Sequence, residues 1–386
     1  MPARSRSLLR RTPYAKSSDE ALHGPDITGI RTSVYKIPTD APESDGTLQW
    51  DSTTMLVAEI SAGGETGLGF SYCSAAAAEI INSTLAERLK GEDAFSLPRL
   101  RETMVGAVRN LGWRGVAANA ISAVDIALWD LKAKLLELPL CELLGRAQER
   151  VEVYGSGGFT SYDNSRLAAQ LGEWAKGQGC RAVKMKIGRQ PAEDIPRVGV
   201  ARSAIGDAQL FVDANGAYSR KQALQFAEAF AEFGVAWFEE PVSSDDLEGL
   251  RLLRDRAPSV MDIAAGEYGY EHFYFRRMLQ AGAVDVLQID ATRCCGYSGF
   301  LNAAAIARAF SIPVSSHCAP AIHLPVAMAC AHLRHMEWFH DHVRIEQMLF
   351  EGAPKIRDGC VAPDLARTGH GLELKHADAE KFRIAK

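Results

Sequence analysis

The chain has 386 residues, 47% hydrophobic and 24% charged, with a formal net charge of −5. That balance is ordinary for a globular protein, gives no basic stripe for nucleic acid, and contains no apolar run near the ~18–20 residues of a membrane span. The length exceeds one ordinary core and suits a barrel of roughly 200–250 residues plus a smaller domain. The eight cysteines are scattered through apolar segments without any CxxC pair. We therefore expect a reduced, cytoplasmic protein with neither a disulfide framework nor a thiolate zinc site.

Residues 1–26 open basic and Ser-rich (MPARSRSLLRRTPYAKSSDE) and read as a mobile tail, because Leu8–Leu9 is far short of a secretory apolar centre. Residues 27–150 read as a small α+β domain. ITGIRTSVYKIP and TTMLVAEISAGG predict antiparallel strands, with Leu56, Ala58 and Ile60 on one face and Val57, Glu59 and Ser61 on the other. A polar loop, TDAPESDGTLQWD, separates them. Helices follow, the last of them carrying Ile121, Val124, Leu128, Leu131 and Leu135 at helical spacing.

Residues 151–360 predict a parallel β/α barrel. Six short apolar runs each turn polar at the C-terminal end: VKMKIG, FVDANG, WFEEP, AAGEYG, VLQID and PVSSH. From Asp213 through Glu239, Glu267 and Asp290 to His317 the intervals are 26, 28, 23 and 27 residues, one strand–loop–helix unit each. Residues 361–386 are expected to pack back on the small domain.

The strand ends carry the chemistry. Asp213, Glu239 and Glu267 would converge, and three unpaired carboxylates call for a hard divalent cation such as Mg2+. Glu240, one residue on, should point to the other side of its strand and be structural or support the ligands from behind. Lys184 and Lys186 share a strand face, and each charge should lower the other's pKa toward the ~7–8 of a base. One would hold an anionic substrate while the other takes a proton. Asp290 would fix the tautomer of His317 and raise its basicity. His340, in MEWFHDH, is placed at the last strand, where it could donate to a substrate oxygen. Metal and lysine would neutralise a bound carboxylate and acidify the adjacent C–H, with bases on both faces.

These motifs, with SAVDIALWDLKAKLLELPLCELLG ahead of them, resemble the enolase superfamily, mandelate racemase subgroup, from about Ile27 to the C-terminus. The resemblance implies a modified (β/α)7β barrel capped by the α+β domain and a homo-oligomer. It implies Mg2+ on Asp213, Glu239 and Glu267, Lys186 and the Asp290–His317 pair as opposed bases, and Lys184 on the substrate carboxylate. Relatives with a single lysine at the sixth strand, such as cycloisomerases and dipeptide epimerases, are not matched, since Asp290 stands there. EWFHDH aligns His340 where mandelate racemase has a glutamate, which argues against mandelate. A polar lid, with Thr47, Trp50 and Tyr72 as specificity contacts, suits a polyhydroxy acid. The expected reaction is dehydration of a sugar acid to a 2-keto-3-deoxy acid. A racemase or epimerase of a 2-hydroxy acid is second, and a non-catalytic sugar-acid-binding protein third.

Overall fold

The computed structural model describes residues 23–385, so the expected tail lies largely outside the described residues. Three long strands, β1 (Ile27–Ser44), β2 (Gln49–Ala62) and β3 (Glu65–Tyr72), form an antiparallel sheet that the short strand Arg383–Ala385 extends at the β1 edge. The expected loop between β1 and β2 is instead an extension of the hairpin, with Glu43 paired to Trp50 and Ser44 to Gln49. Its turn is tied by Asp45, whose carboxylate accepts from the Thr47 and Leu48 amides. Polar composition suggested a loop, but a capped turn and a continuing backbone ladder need no apolar residues. The expected sidedness of β2 holds, with Leu56, Ala58 and Ile60 in one core and Met55 and Val57 in the other, so that both faces are buried. One face packs in the small domain and the other joins the core around the barrel.

Helix Val116–Leu135 lies against this sheet. The approach depends on glycine, because a Cβ at Gly67 or Gly69 would meet the helix carbonyls of Ala127 and Ala123 at 2.1 Å. Asp130 on the same helix accepts from the Leu68 amide and from the His370 amide of the C-terminal segment, each at 2.8 Å.

Eight parallel strands follow: β4 (Val151–Gly157), β5 (Ala182–Lys186), β6 (Gln209–Asp213), β7 (Val235–Glu239), β8 (Asp262–Ala265), β9 (Val286–Ile289), β10 (Val314–Ser316) and β11 (Leu333–Phe339). Each pairs with the next, and β11 pairs with β4 to close the barrel. A helix, His340–Leu349, follows the eighth strand as well. Alternation along each strand divides its side chains between two environments. Val183, Met185, Val212, Phe238, Met336 and Trp338 join the core shared with the outer helices. Tyr154, Phe211 and Trp237 fill the barrel interior as an aromatic plug. Two residues beyond Phe211 and Trp237 stand Asp213 and Glu239. The same period that buries the plug delivers the acids to the mouth.

Candidate active site

The strand ends bring together Lys184, Lys186, Asp213, Glu239, Glu267, Asp290 and His317, every one of them buried. Asp213, Glu239 and Glu267 each offer a carboxylate oxygen, and these atoms lie within 4.8 Å of one another. Glu267 Oε2 is buried without a hydrogen-bond partner. A set of three carboxylates with an orphaned oxygen fits a hard divalent cation.

The lysines lie on these acids. Lys186 Nζ donates to Asp213 Oδ2 at 2.5 Å, and Lys184 Nζ donates to both Glu239 oxygens at 2.6 and 2.7 Å. Burial pulls the Lys184 ammonium down, but Glu239 and Glu337 outweigh it and hold its pKa well above the ordinary lysine value. Burial likewise lowers Lys186, and Asp213 overrides it. The expected mutual lowering is therefore reversed here, because carboxylates at contact distance act more strongly than a neighbouring ammonium.

His317 Nδ1 stands 2.8 Å from Asp290 Oδ2, and the Thr292 amide and hydroxyl both donate to Asp290 Oδ1 at 2.7 Å. Burial lowers the imidazole pKa, while Glu267 and the Asp290 hydrogen bond carry it above the usual value. His317 follows β10 and Lys186 ends β5, so the two face each other with β4 and β11 between them on the shorter arc.

Several neighbours were not anticipated. Glu337, in the middle of β11, points into the mouth: its Oε1 lies 2.8 Å from Lys184 Nζ and accepts from the Ser156 hydroxyl at 2.6 Å. Its Oε2 accepts from the Cys318 amide at 2.7 Å. The eighth-strand glutamate is thus present, and His340 does not replace it. The signal was in RHMEWF, where Met336 and Trp338 face the outer helices and so turn Glu337 inward. His340 begins the next helix and its Nε2 lies 3.2 Å from Asp40 Oδ2 at the rim. Arg293 donates to Glu267 Oε1 at 3.1 Å and lies 3.6 Å from Asp290. Glu240 is buried one residue on from Glu239. Its strand ends at Glu239, and a φ of 37° breaks the alternation that would send it outward. Burial, and then the charges of Glu267, Asp213 and Glu239, hold its carboxyl well above the usual range.

The β1–β2 hairpin roofs the mouth. Thr160 donates from its amide to the Ser44 carbonyl and from its hydroxyl to the Asp45 carbonyl, both at 2.9 Å. A Cβ at Gly46 would meet the Ala214 and Ile187 carbonyls at 2.4 and 2.7 Å, so the hairpin tip rests on the loops leaving β6 and β5. Thr47 sits at this tip with its hydroxyl on Asp45. Trp50 donates to Glu43 Oε2 at 2.8 Å and meets Phe159 edge-on. Tyr72 belongs to β3 rather than to a lid loop, and it stacks on the half-buried His342 with ring centroids 3.5 Å apart. Among the described residues no helix is long and apolar enough to cross a membrane.

A barrel with this mouth, roofed by a strand-and-helix domain, defines an enzyme of the enolase superfamily. Residues 166–379 match the family described as enolase C-terminal domain-like, and residues 38–145 match the mandelate racemase / muconate lactonizing enzyme N-terminal domain. The chain belongs to this family. It is 34% identical over 358 residues to a 3,6-anhydro-alpha-L-galactonate cycloisomerase of Streptomyces coelicolor, covering 90% of this chain and 97% of that one. A mandelate racemase/muconate lactonizing enzyme-like protein from Rubrobacter xylanophilus superposes with a TM-score of 0.91 at 51% identity, covering 93% of this chain and all (100%) of that one. An L-talarate dehydratase from Polaromonas sp. JS666, complexed with Mg and L-glucarate, gives a TM-score of 0.84 at 32% identity, covering 94% and 98%. A cycloisomerase thus stands among the proteins that this chain is similar to.

Proposed function

We propose that this chain is a Mg2+-dependent dehydratase of a sugar acid, giving a 2-keto-3-deoxy acid. The observation that carries the reading is the opposition of Lys186 to the Asp290–His317 pair across the three-carboxylate cluster. Asp213, Glu239 and Glu267 would hold the magnesium, which when bound supplies positive charge that neutralises the substrate carboxylate and acidifies the adjacent C–H.

Lys184 then binds the same carboxylate, with Glu337 and Ser156 fixing its position. Lys186 is placed to take the α-proton once its contact with Asp213 is relieved. The C–O bond at the β-carbon breaks, and the departing hydroxyl leaves as water with a proton from His317. An imidazolium suits this step, and Asp290 stabilises that form. The resulting enol takes up a proton at the β-carbon and becomes the keto acid. The roofing hairpin, with Thr47 and Trp50 at its end, excludes water and presents polar groups to the substrate hydroxyls. The dehydratase relative from Polaromonas supports this choice of leaving group. The homo-oligomer implied by the family resemblance belongs to the same reading, and light scattering tests it.

The same pair of bases supports 1,1-proton transfer, so epimerisation of a 2-hydroxy acid is the second reading. One experiment separates them: sugar mono- and diacids are incubated with enzyme and Mg2+ in D2O, and 2-keto acids are detected as semicarbazones. Keto acid formation supports dehydration. Deuterium at the α-carbon without keto acid overturns it in favour of epimerisation.

A further inference from the structure

The cysteine spacing holds no CxxC pair, and the sequence alone predicts no thiolate metal site. The fold nevertheless delivers one thiol to the barrel mouth. Cys318 follows His317 at a left-handed φ of 49°, and its Sγ lies 3.2 Å from His317 Nε2. Glu337 Oε2 lies 4.0 Å from the same nitrogen, and ligand atoms of His317, Cys318 and Glu337 all fall within 4.8 Å of one another. Glu267, only 3% exposed, aims the oxygen that has no hydrogen bond at this point, 3.3 Å from Nε2. One nitrogen, one sulfur and one carboxylate oxygen converge, with the Glu267 carboxylate bordering the nitrogen. Tetrahedral zinc, with bonds of about 2.0–2.3 Å, spaces its ligands roughly 3.3–3.8 Å apart, so small side-chain shifts suffice here.

We propose that His317, Cys318 and Glu337, with the fourth position left to water, form a second metal site for a thiophilic divalent cation such as Zn2+. Magnesium prefers oxygen and near-octahedral geometry, so the sulfur and the imidazole select against it. Binding releases the thiol proton to solvent and engages the lone pair of Nε2. The site stands on the geometry of these three groups. Its consequence rests on the reading of His317 as the acid–base group: zinc occupies that nitrogen, and turnover stops while magnesium is still bound.

The test uses the full chain in excess MgCl2, titrated with CoCl2 and then ZnCl2. The expected result is one cobalt per chain with a thiolate-to-cobalt charge-transfer band in the near ultraviolet, which zinc abolishes by displacement. Cys318→Ser should lose the band and bind zinc at least tenfold more weakly. Cobalt binding by the unaltered chain without a sulfur band overturns the site, whatever the folding of the variant. Equal zinc affinity in Cys318→Ser also overturns it, placing zinc on the three carboxylates alone. A sulfur band accompanied by undiminished turnover supports the site and overturns the acid–base reading of His317.

Discussion

Lys184 and Glu337 meet at 2.8 Å across strand β4, which lies between their own strands β5 and β11. Both are buried, and Ser156 of β4 donates to the same carboxylate. The contact closes the mouth electrostatically where the β11–β4 pairing closes it mechanically. Removing one charge from such a pair strands the other in a low dielectric. Glu337→Gln should therefore lower kcat/KM by roughly 10²-fold, the scale of losing one electrostatic group at a reacting centre. Steady-state kinetics on the substrate found by screening checks this, and an unchanged kcat/KM would remove Glu337 from the site.

Lys186→Ala and His317→Asn should each abolish measurable turnover, since positioned acids and bases contribute about 10²–10⁴-fold apiece. The two variants should differ in D2O, each exchanging only an α-proton on the face that its remaining base reaches. Full rate in either variant defeats the two-base scheme.

Asp290→Asn keeps the shape of its partner contact with His317 but loses the charge that favours the imidazolium. Turnover should fall by at least tenfold, with the alkaline limb of the pH profile displaced to lower pH, because a weaker partner lowers the pKa of the histidine that must be protonated to act as the acid. An unmoved limb would mean that His317 does not set it.

Magnesium should stabilise the fold, by about 2.7 kcal/mol at a hundredfold excess over its Kd if it binds only the folded chain. Asp213→Asn should abolish both this thermal shift and activity. A variant that still gains the full shift from Mg2+ would place the ion elsewhere.

His335 gives a pH prediction away from the mouth. It lies among Tyr154, Phe211 and Trp237 in the barrel interior, with Nδ1 2.9 Å from the Ser315 hydroxyl and Nε2 without a partner. Burial, and then Arg334 and Lys184, lower its pKa to about 3. The unfolded chain takes up the proton near pH ~6.5 while the folded chain refuses it, so this stability is present above pH ~6.5 and declines as pH falls toward about 3. His335→Phe removes that proton uptake. Denaturant unfolding should show the difference between variant and unaltered chain shifting in the variant's favour by up to several kcal/mol, in order of magnitude, from pH ~7 to ~4. A constant difference would show that His335 titrates normally.

The sequence by itself determined the barrel rhythm and the groups at its strand ends. A period of two along each strand and one β/α unit between strands require Asp213, Glu239, Glu267, Asp290 and His317 to share one mouth. It also marked Lys184 and Lys186 as a pair on one face. Tertiary structure decided how those groups balance, because a lysine's pKa depends on carboxylates contributed by other strands. It also decided which residues past a strand end return to the site. Cys318 does so through left-handed backbone, where alternation no longer applies, and Arg293 does so from the turn after β9. Glu337 was legible from the alternation of β11 but was passed over for the more polar end of the segment. The hairpin roof was illegible for a different reason: its order comes from backbone pairing and from Gly46 resting on two carbonyls, contacts that leave no hydrophobic pattern behind.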